Sequence, residues 1–248
     1  MKKTPKWLIS TPIAHRGLHD GNHKVPENSL SAFAKAIKEN YPIELDIQII
    51  KDGTVIVFHD TDLKRICNST KQTKLLTKAT LKEHTLFNTS ESIPTLQEVL
   101  DFVKGKVPLL IEFKTNSLSK KLEQNTLSLL KEYKGAVALQ SFNRPSVKWL
   151  CKQHHHYPVG QLAEPSLAIK PLNYIYDYLQ LNKNMSPDFI AYDIDDLPNK
   201  RVSYFKRKGT PILLWTVSSQ VQIDLYHAIF DNIIFEKFTP VIAEQNKR

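Results

Sequence analysis

The stretch that decides the fold runs Pro12-Ile13-Ala14-His15-Arg16-Gly17, then Pro26-Glu27-Asn28-Ser29, then Ile43-Glu44-Leu45-Asp46. The first and last pieces are short apolar runs typical of buried strands, and residues 28–40 between them have the apolar spacing of a helix capped by Asn28. Strand, helix, strand is the repeating unit of a parallel α/β sheet. Because reactive side chains stand at the ends of both strands, the stretch predicts a site as well as a fold.

The same alternation continues along the chain. We predict core strands at residues 9–14, 43–50, 108–114, 136–141, 158–162, 189–193, 211–217 and 232–235. The intervening helices are predicted at residues 28–40, 95–103, 119–133, 145–154, 172–181, 199–208 and 220–230, with a short last helix near Pro240. Eight repeats in 248 residues predict a (β/α)8 TIM barrel forming one domain over residues 1–248, since about 250 residues is typical of this fold.

Residues 51–92 interrupt this rhythm after the second strand. They begin with the turn signal Lys51-Asp52-Gly53-Thr54 and a hairpin strand at 55–58, and they become polar from Thr61 to Ser92. We therefore expect a small inserted hairpin and loop region, of the kind that covers the catalytic face of many barrels.

Composition narrows the class of protein. Hydrophobic residues make up 41% and charged residues 24%, which is close to globular averages, and no stretch approaches the roughly 20 apolar residues of a membrane span. Lys2 and Lys3 precede no apolar segment of a secretory signal, so we expect a cytoplasmic protein. Cys67 and Cys151, the two cysteines, are then expected to be reduced thiols.

The formal net charge of +9 favours an anionic partner, such as nucleic acid, a phospholipid surface or a small phosphate compound. The lysines are spread along the chain rather than grouped in blocks, so we expect no nucleic-acid partner. A peripheral contact with a membrane stays open, and the sequence carries no signal for an oligomeric state.

Charged side chains recur at the predicted carboxyl ends of the strands, which meet at the catalytic face of a barrel. Glu44 and Asp46 are two residues apart and therefore point to one face of their strand, and Glu112 and Lys114 repeat this spacing on the next core strand. Gln140, Asp193 and Trp215 occupy similar positions later in the chain.

Three converging carboxylates, Glu44, Asp46 and Glu112, suit one hard divalent cation, Mg²⁺, Ca²⁺ or Mn²⁺, because oxygen ligands favour these ions. The alternative is that the carboxylates form structural salt bridges with Arg16 and Lys114, and the two arrangements can coexist.

His15 and His59 follow separate strands, so they are candidates for a general acid and a general base on two sides of a substrate. Arg16 and Lys114 add fixed positive charge suited to a phosphate group, and Arg16 can bind it through two hydrogen bonds.

In this order the motifs resemble those of the glycerophosphodiester phosphodiesterase family. The pieces that carry the resemblance are His15-Arg16-Gly17, Pro26-Glu27-Asn28-Ser29, Glu44-Leu45-Asp46, His59-Asp60 with Leu63 and Arg65, Ile93-Pro94-Thr95-Leu96, Ile111-Glu112-Phe113-Lys114, Gln140-Ser141-Phe142 and Trp215-Thr216-Val217. They extend from about Ile13 to about Pro240, which is almost the whole chain.

The resemblance implies a barrel enzyme that hydrolyses glycerophosphodiesters to glycerol 3-phosphate and an alcohol with the help of a divalent cation. It assigns metal binding to Glu44, Asp46 and Glu112, acid/base catalysis to His15 and His59, and phosphate binding to Arg16 and Lys114. Glu27 is expected to support the site from behind, and Trp215 to form a wall against the glycerol or alcohol moiety.

The chain departs from the family pattern late in the sequence. It has Phe230-Asp231-Asn232-Ile233-Ile234-Phe235-Glu236 where the family has a Gly-Val-Asp-Gly and Thr-Asp type segment, and Ser218 where an asparagine is common. These changes lie at the late rim of the pocket, so we expect them to affect the alcohol specificity more than the metal or the histidines. His154-His155-His156 is interpreted as surface, and Tyr174, Tyr176 and Tyr178 as packing residues.

Two other functions remain as alternatives. One keeps the same site but uses lysophospholipids at a membrane surface, in the manner of a lysophospholipase D. The other is a barrel without catalytic activity that binds a phosphate ligand or nucleic acid, against which the intact pair of histidines argues.

Overall fold

The computed structural model describes residues 4–153, 155–164 and 186–241. In these residues eight parallel strands follow the hydrogen-bonded order β1-β2-β4-β5-β6-β7-β8-β9, and β9 pairs with β1 to close a barrel. The eight are β1 Ile13–Ala14, β2 Ile43–Ile49, β4 Leu109–Phe113, β5 Val137–Ser141, β6 Val159–Ala163, β7 Phe189–Asp193, β8 Ile212–Val217 and β9 Asn232–Phe235. The predicted (β/α)8 TIM barrel is confirmed.

Helices connect successive strands on the outside. They span Leu30–Lys38, Leu96–Val103, Lys121–Leu130, Arg144–Cys151, Lys200–Arg207 and Gln220–Tyr226. The predicted helix at 172–181, with its three tyrosines, lies outside the described residues, as does most of the predicted last helix.

The cap of the first barrel helix differs from the prediction. Ser29 caps Leu30–Lys38, because its hydroxyl accepts a hydrogen bond from the Ala32 amide. Asn28 instead has a left-handed backbone (φ 55°) and directs its side-chain amide to Asp46. The predicted cap residue therefore belongs to the site rather than to the helix.

The predicted first strand at 9–14 is also shorter than expected. Lys6–Ser10 forms a helix, and β1 begins only at Ile13. The reason is burial: Leu8 is fully buried in a cluster with the barrel-interior residues Ile13, Leu110 and Phe189. A helical turn places this leucine at the amino end of the strands, where it closes the barrel.

Two apolar layers hold the barrel together. One fills its interior and the other lies between the strands and the outer helices. Gly160 on β6 lets Phe189 into the interior, because a Cβ at this position would lie 2.2 Å from the Phe189 ring.

The insertion after β2 is more ordered than its polar composition predicted. Its strand β3, Val55–Val57, pairs antiparallel with β2, and the short helix Lys64–Cys67 and two 3₁₀ turns, Thr73–Leu75 and Lys78–Glu83, follow. Scattered apolar residues in this region form a separate small core with members such as Ile66 and Leu81. None of the helices in the described ranges is long and apolar enough to cross a membrane.

Candidate active site

Three buried carboxylates meet at the carboxyl ends of β2 and β4. Asp46 and Glu112 are direct partners in the register of these strands, and Glu44 lies two residues before Asp46 on the same face. One oxygen of each of Glu44, Asp46 and Glu112 lies within 4.8 Å of the others. We call these three residues the acidic cluster, and their predicted convergence is confirmed.

Charge repulsion and burial act on this cluster. Burial, followed by the neighbouring carboxylates Asp46 and Glu112, raises the pKa of Glu44 well above its usual value. Burial and Asp46 likewise raise the pKa of Glu112. Although burial opposes it, the nearby positive charge of Arg16 and then of His59 and Lys114 lowers the pKa of Asp46 to about 2. The cluster thus combines one firmly ionised carboxylate with two that resist ionisation.

The loop after β1 brings Arg16 to this cluster. Its backbone amide donates to Glu44 Oε2 at 3.0 Å, and its Nε lies 3.2 Å from Asp46 Oδ2. Gly17 permits the tight path of this loop, since its φ is +79° and a Cβ there would lie 2.9 Å from the Ala32 side chain. The glycine of the His-Arg-Gly motif is therefore needed for the close approach of loop and helix.

Lys114 provides a second cation at the end of β4. Its Nζ lies 2.9 Å from Glu112 Oε1 and 3.9 Å from Asp46 Oδ1. Burial acts to lower its pKa, but the carboxylates of Glu112 and Asp46 outweigh burial and raise it. The predicted alternative of salt bridges to Arg16 and Lys114 is thus present together with the converging carboxylates.

His15 lies against Glu236, which follows β9. Its Nδ1 is 2.8 Å from Glu236 Oε2, and the buried ring of His19 places Nε2 3.4 Å from the same oxygen. Burial lowers the pKa of His15, and the hydrogen bond that His15 donates to Glu236 partly counters that effect. The late departures were expected to affect the pocket rim more than the histidines, but Glu236 of that segment contacts a candidate catalytic histidine.

His59 is held in a similar way by its neighbour in the chain. Its Nδ1 lies 2.7 Å from Asp60 Oδ1, and its Nε2 lies 3.0 Å from Lys114 Nζ. With Nδ1–H donated to a carboxylate, a neutral imidazole presents its lone pair on Nε2. Both candidate histidines thus have a carboxylate at Nδ1, Glu236 for His15 and Asp60 for His59.

Glu27 lies behind the site, as the resemblance implied. Its carboxylate accepts from Arg16 Nη1 at 2.6 Å and from Arg65 at 2.8 and 2.9 Å. Burial opposes its ionisation, but the hydrogen bonds from Arg65 and the charges of Arg16 and Arg65 lower the pKa of Glu27 to about 2.

A cavity of about 720 Å³ lies beside the candidate catalytic residues. His15, Arg16, His59, Glu112 and Lys114 line it. The cavity continues to an aromatic wall, in which the rings of Phe142 and Trp215 meet edge to face with centroids 5.4 Å apart. Trp215 therefore lines the cavity, and its contact with the glycerol or alcohol moiety stays a prediction.

A profile of the glycerophosphoryl diester phosphodiesterase family matches residues 15–235. This match covers most of the chain and contains every residue of the predicted site. The chain belongs to this family. Several relatives and structural neighbours are named glycerophosphodiester phosphodiesterases, and the chain is accordingly a phosphoric diester hydrolase.

The glycerophosphodiester phosphodiesterase of Caldanaerobacter subterraneus is 30% identical over 234 residues, which cover 90% of this chain and 92% of the relative. Two solved structures share the fold. A phosphodiesterase from Oleispira antarctica, in complex with the product sn-glycerol-3-phosphate, has a TM-score of 0.75 at 20% identity and covers 92% of this chain and 93% of its own. The glycerophosphodiester phosphodiesterase of Thermotoga maritima has a TM-score of 0.70 at 24% identity, covering 91% and 94%.

Several contact residues were not assigned a role from the sequence. Glu236 and His19 were missed because they lie about 220 residues apart in sequence, and no local pattern indicates that they lie close together. Asn28 was missed because an asparagine before a helix is usually its cap. Asp60 and Arg65 were visible as parts of a motif, but the sequence did not show what they contact.

Two histidines of the run His154-His155-His156 lie in the described residues, and both contact the same tyrosine. His155 and His156 each pack against the ring of Tyr157, with centroids 5.3 and 4.3 Å apart. His154 lies outside the described residues. Cys67 and Cys151 are not joined by a disulfide bond.

Proposed function

We propose that this chain hydrolyses glycerophosphodiesters to glycerol 3-phosphate and an alcohol, using one divalent cation and the pair His15 and His59. The observation that supports the proposal most is the matched arrangement of the two rings. Each has a carboxylate at Nδ1, and each lies beside a candidate phosphate-binding cation, since His15 precedes Arg16 and His59 contacts Lys114.

The acidic cluster fits a divalent cation. Its three carboxylates face the two positive charges of Arg16 and Lys114, and Arg16 also pairs with Glu27, so negative charge remains in excess. Burial and mutual repulsion raise the pKa of Glu44, which an added cation would counter. Oxygen donors suit Mg²⁺, Ca²⁺ or Mn²⁺. When bound, such an ion supplies Lewis-acid stabilisation of charge on a phosphoryl oxygen.

The residues of the chain then divide the work. Arg16 and Lys114 hold the phosphate and offset charge that develops on its oxygens. One imidazole Nε2 removes a proton from the nucleophile, either water or the adjacent glycerol hydroxyl, and the other donates a proton to the departing alkoxide. Each proton transfer contributes on the order of 10²–10⁴ in rate. Proton balance requires one ring to begin neutral and the other protonated.

The direct test is an assay of glycerol 3-phosphate release from glycerophosphocholine, glycerophosphoethanolamine, glycerophosphoglycerol and glycerophosphoinositol. Each reaction is run with Mg²⁺, Mn²⁺, Ca²⁺ or EDTA. We expect release with at least one cation and none in EDTA. Absence of release from every diester would contradict the activity, and undiminished release in EDTA would contradict the role of the cation.

A second candidate substrate class is lysophospholipids, and one observation favours it. Leu75 and Leu118 are 54% and 85% exposed, and each follows a residue that lines the cavity, Lys74 and Ser117. Exposed apolar side chains next to the cavity would give the acyl chain of a lysophospholipid an apolar contact. Faster turnover of detergent-dispersed lysophospholipid than of glycerophosphocholine, reduced selectively by Leu118→Ser, supports this candidate. Equal effects of the variant on both substrates would contradict it.

A further inference from the structure

Arg65 contacts two carboxylates of the site while lying outside the cavity. Its guanidinium donates to Glu27 through Nη1 and Nη2 at 2.9 and 2.8 Å, and to Asp60 through Nε and Nη2 at 2.8 and 2.9 Å. The side chain is 44% exposed and is not among those that line the cavity. Any effect of Arg65 on a bound substrate must therefore pass through Glu27 and Asp60.

Each of the two carboxylates leads to a different functional group. Glu27 Oε1 accepts from Arg16 Nη1 at 2.6 Å, on the side proposed to bind phosphate. Asp60 Oδ1 lies 2.7 Å from His59 Nδ1, on the side proposed to transfer protons. Cations and carboxylates thus alternate from Arg16 through Glu27 and Arg65 to Asp60, which contacts the His59 ring.

The series of contacts closes on itself across the cavity, although His59 and Lys114 are neighbours in it without a carboxylate between them. His59 Nε2 lies 3.0 Å from Lys114 Nζ, and Lys114 Nζ lies 3.9 Å from Asp46. Asp46 in turn lies 3.2 Å from Arg16 Nε. We call this closed series of seven residues the charge ring; its members are Arg16, Glu27, Arg65, Asp60, His59, Lys114 and Asp46. Within it, Arg65 is the member contributed by the helix Lys64–Cys67 of the insertion.

We propose that Arg65 is a positioning residue that sets the placement of Arg16 relative to His59, and hence of the phosphate relative to the acid/base group. The proposal rests on the proposed function. It also gives the insertion a role, because the small core of the insertion holds the adjacent Ile66 and so fixes the position from which Arg65 reaches the barrel.

This positioning role requires an arginine, and another cation would not serve. A planar guanidinium carries five N–H donors in a fixed fork and can bind two carboxylates in one plane, whereas a lysine ammonium is a flexible point charge. Arg65 uses three nitrogens in this way. Its carbon Cζ also lies 5.9 Å from the centre of the Phe87 ring, which supports the fork from within the insertion.

The experiment compares wild type with Arg65→Ala and Arg65→Lys, and uses Lys64→Ala as the control because Lys64 is the exposed neighbour on the same short helix. Each protein is assayed for kcat and KM with glycerophosphocholine, with and without added methylguanidine. Binding of glycerol 3-phosphate is measured separately by calorimetry. Glu27→Gln and Asp60→Asn test the two contacts of Arg65 individually.

We expect Arg65→Ala and Arg65→Lys to lose about 10²-fold in kcat/KM, the scale of a misplaced catalytic group. Methylguanidine should restore part of the loss in Arg65→Ala, which a general loss of folding would not allow. Glu27→Gln should act mainly on KM and Asp60→Asn mainly on kcat, whereas loss of Arg65 should change both.

Two results would overturn the proposal. One is that Arg65→Ala matches Lys64→Ala in activity and in binding of glycerol 3-phosphate. The other is a loss in Arg65→Ala that methylguanidine leaves unchanged while product binding stays normal. If wild type hydrolyses no glycerophosphodiester, the proposed function fails, and calorimetry alone then decides whether Arg65 positions the phosphate-binding side.

Discussion

Glu236 Oε2 lies 2.8 Å from His15 Nδ1, which joins the last strand of the barrel to the first loop. The hydrogen bond from His15 and the nearby ring of His19 lower the pKa of Glu236, so it is ionised beside the imidazole. Asp60 stands in the same relation to His59 at 2.7 Å. The barrel therefore brings two similar carboxylate–imidazole pairs to one cavity, one formed between opposite ends of the chain and the other between adjacent residues.

We predict that Glu236→Gln lowers kcat by roughly 10²-fold, at the low end of what a general acid or base contributes. An amide has no charge to stabilise the imidazolium and can present its NH₂ to Nδ1. Because Glu236 acts to raise the pKa of His15, its removal should move the pH–rate limb that reports His15 to lower pH. Glu83→Gln, at an exposed site, is the control. An unchanged kcat and pH profile would remove Glu236 from the account.

We predict that His15→Ala and His59→Ala each abolish diester hydrolysis and leave circular dichroism and thermal unfolding near wild type. Each ring lines the cavity and is proposed to carry one of the two proton transfers, so water cannot replace it efficiently. His23→Ala is the matched control, because His23 is an exposed histidine of the same loop as His15. Substantial turnover by either active-site variant would sink the acid/base assignment.

We predict that Glu44→Gln weakens divalent-ion binding yet raises the Tm in EDTA at pH 7. Burial and the neighbouring carboxylates raise the pKa of Glu44, so its ionised form destabilises the fold above the ordinary carboxyl pKa. The amide can still accept the Arg16 backbone N–H. Differential scanning fluorimetry with and without Mg²⁺ measures both effects. A lower Tm in EDTA together with an undiminished Mg²⁺-induced increase would contradict this prediction.

We predict that Glu27 stabilises the protein above pH 4.5 and that this contribution is lost as pH falls from 4.5 to about 2. The folded-state pKa is depressed, so protonation in this window favours the unfolded chain. One pKa unit corresponds to about 1.4 kcal/mol, so the full effect is roughly 3 kcal/mol. Urea unfolding at pH 5 and pH 3 should show the gap between wild type and Glu27→Gln shrinking at the lower pH. A gap independent of pH would contradict the prediction.

Much of the fold and of the site could be predicted from local sequence. The periodicity of strands and helices predicted the eight repeats. The two-residue spacing of Glu44 and Asp46 predicted that both carboxylates lie on one face of their strand. The catalytic end of a barrel is common to all its strands, which is why residues as distant as His15 and Trp215 were expected in one cavity.

The remainder depended on packing between distant segments. Leu8 is helical because a helical turn buries its side chain at the end of the barrel interior, although its local sequence is also compatible with a strand. The insertion was interpreted as loop because its apolar residues are scattered, and only folding collects them into a core. Glu236 was assigned to the pocket rim because a residue after the last strand has no local pattern to indicate His15 as its partner.

The most direct test of the central claim is phosphorus NMR of glycerophosphocholine incubated with the protein and Mg²⁺, with a parallel sample in EDTA. We expect the diester signal to be replaced by the signal of glycerol 3-phosphate in the Mg²⁺ sample and to persist in the EDTA sample. Formation of phosphocholine instead, or an unchanged diester signal with every divalent cation supplied, would contradict it.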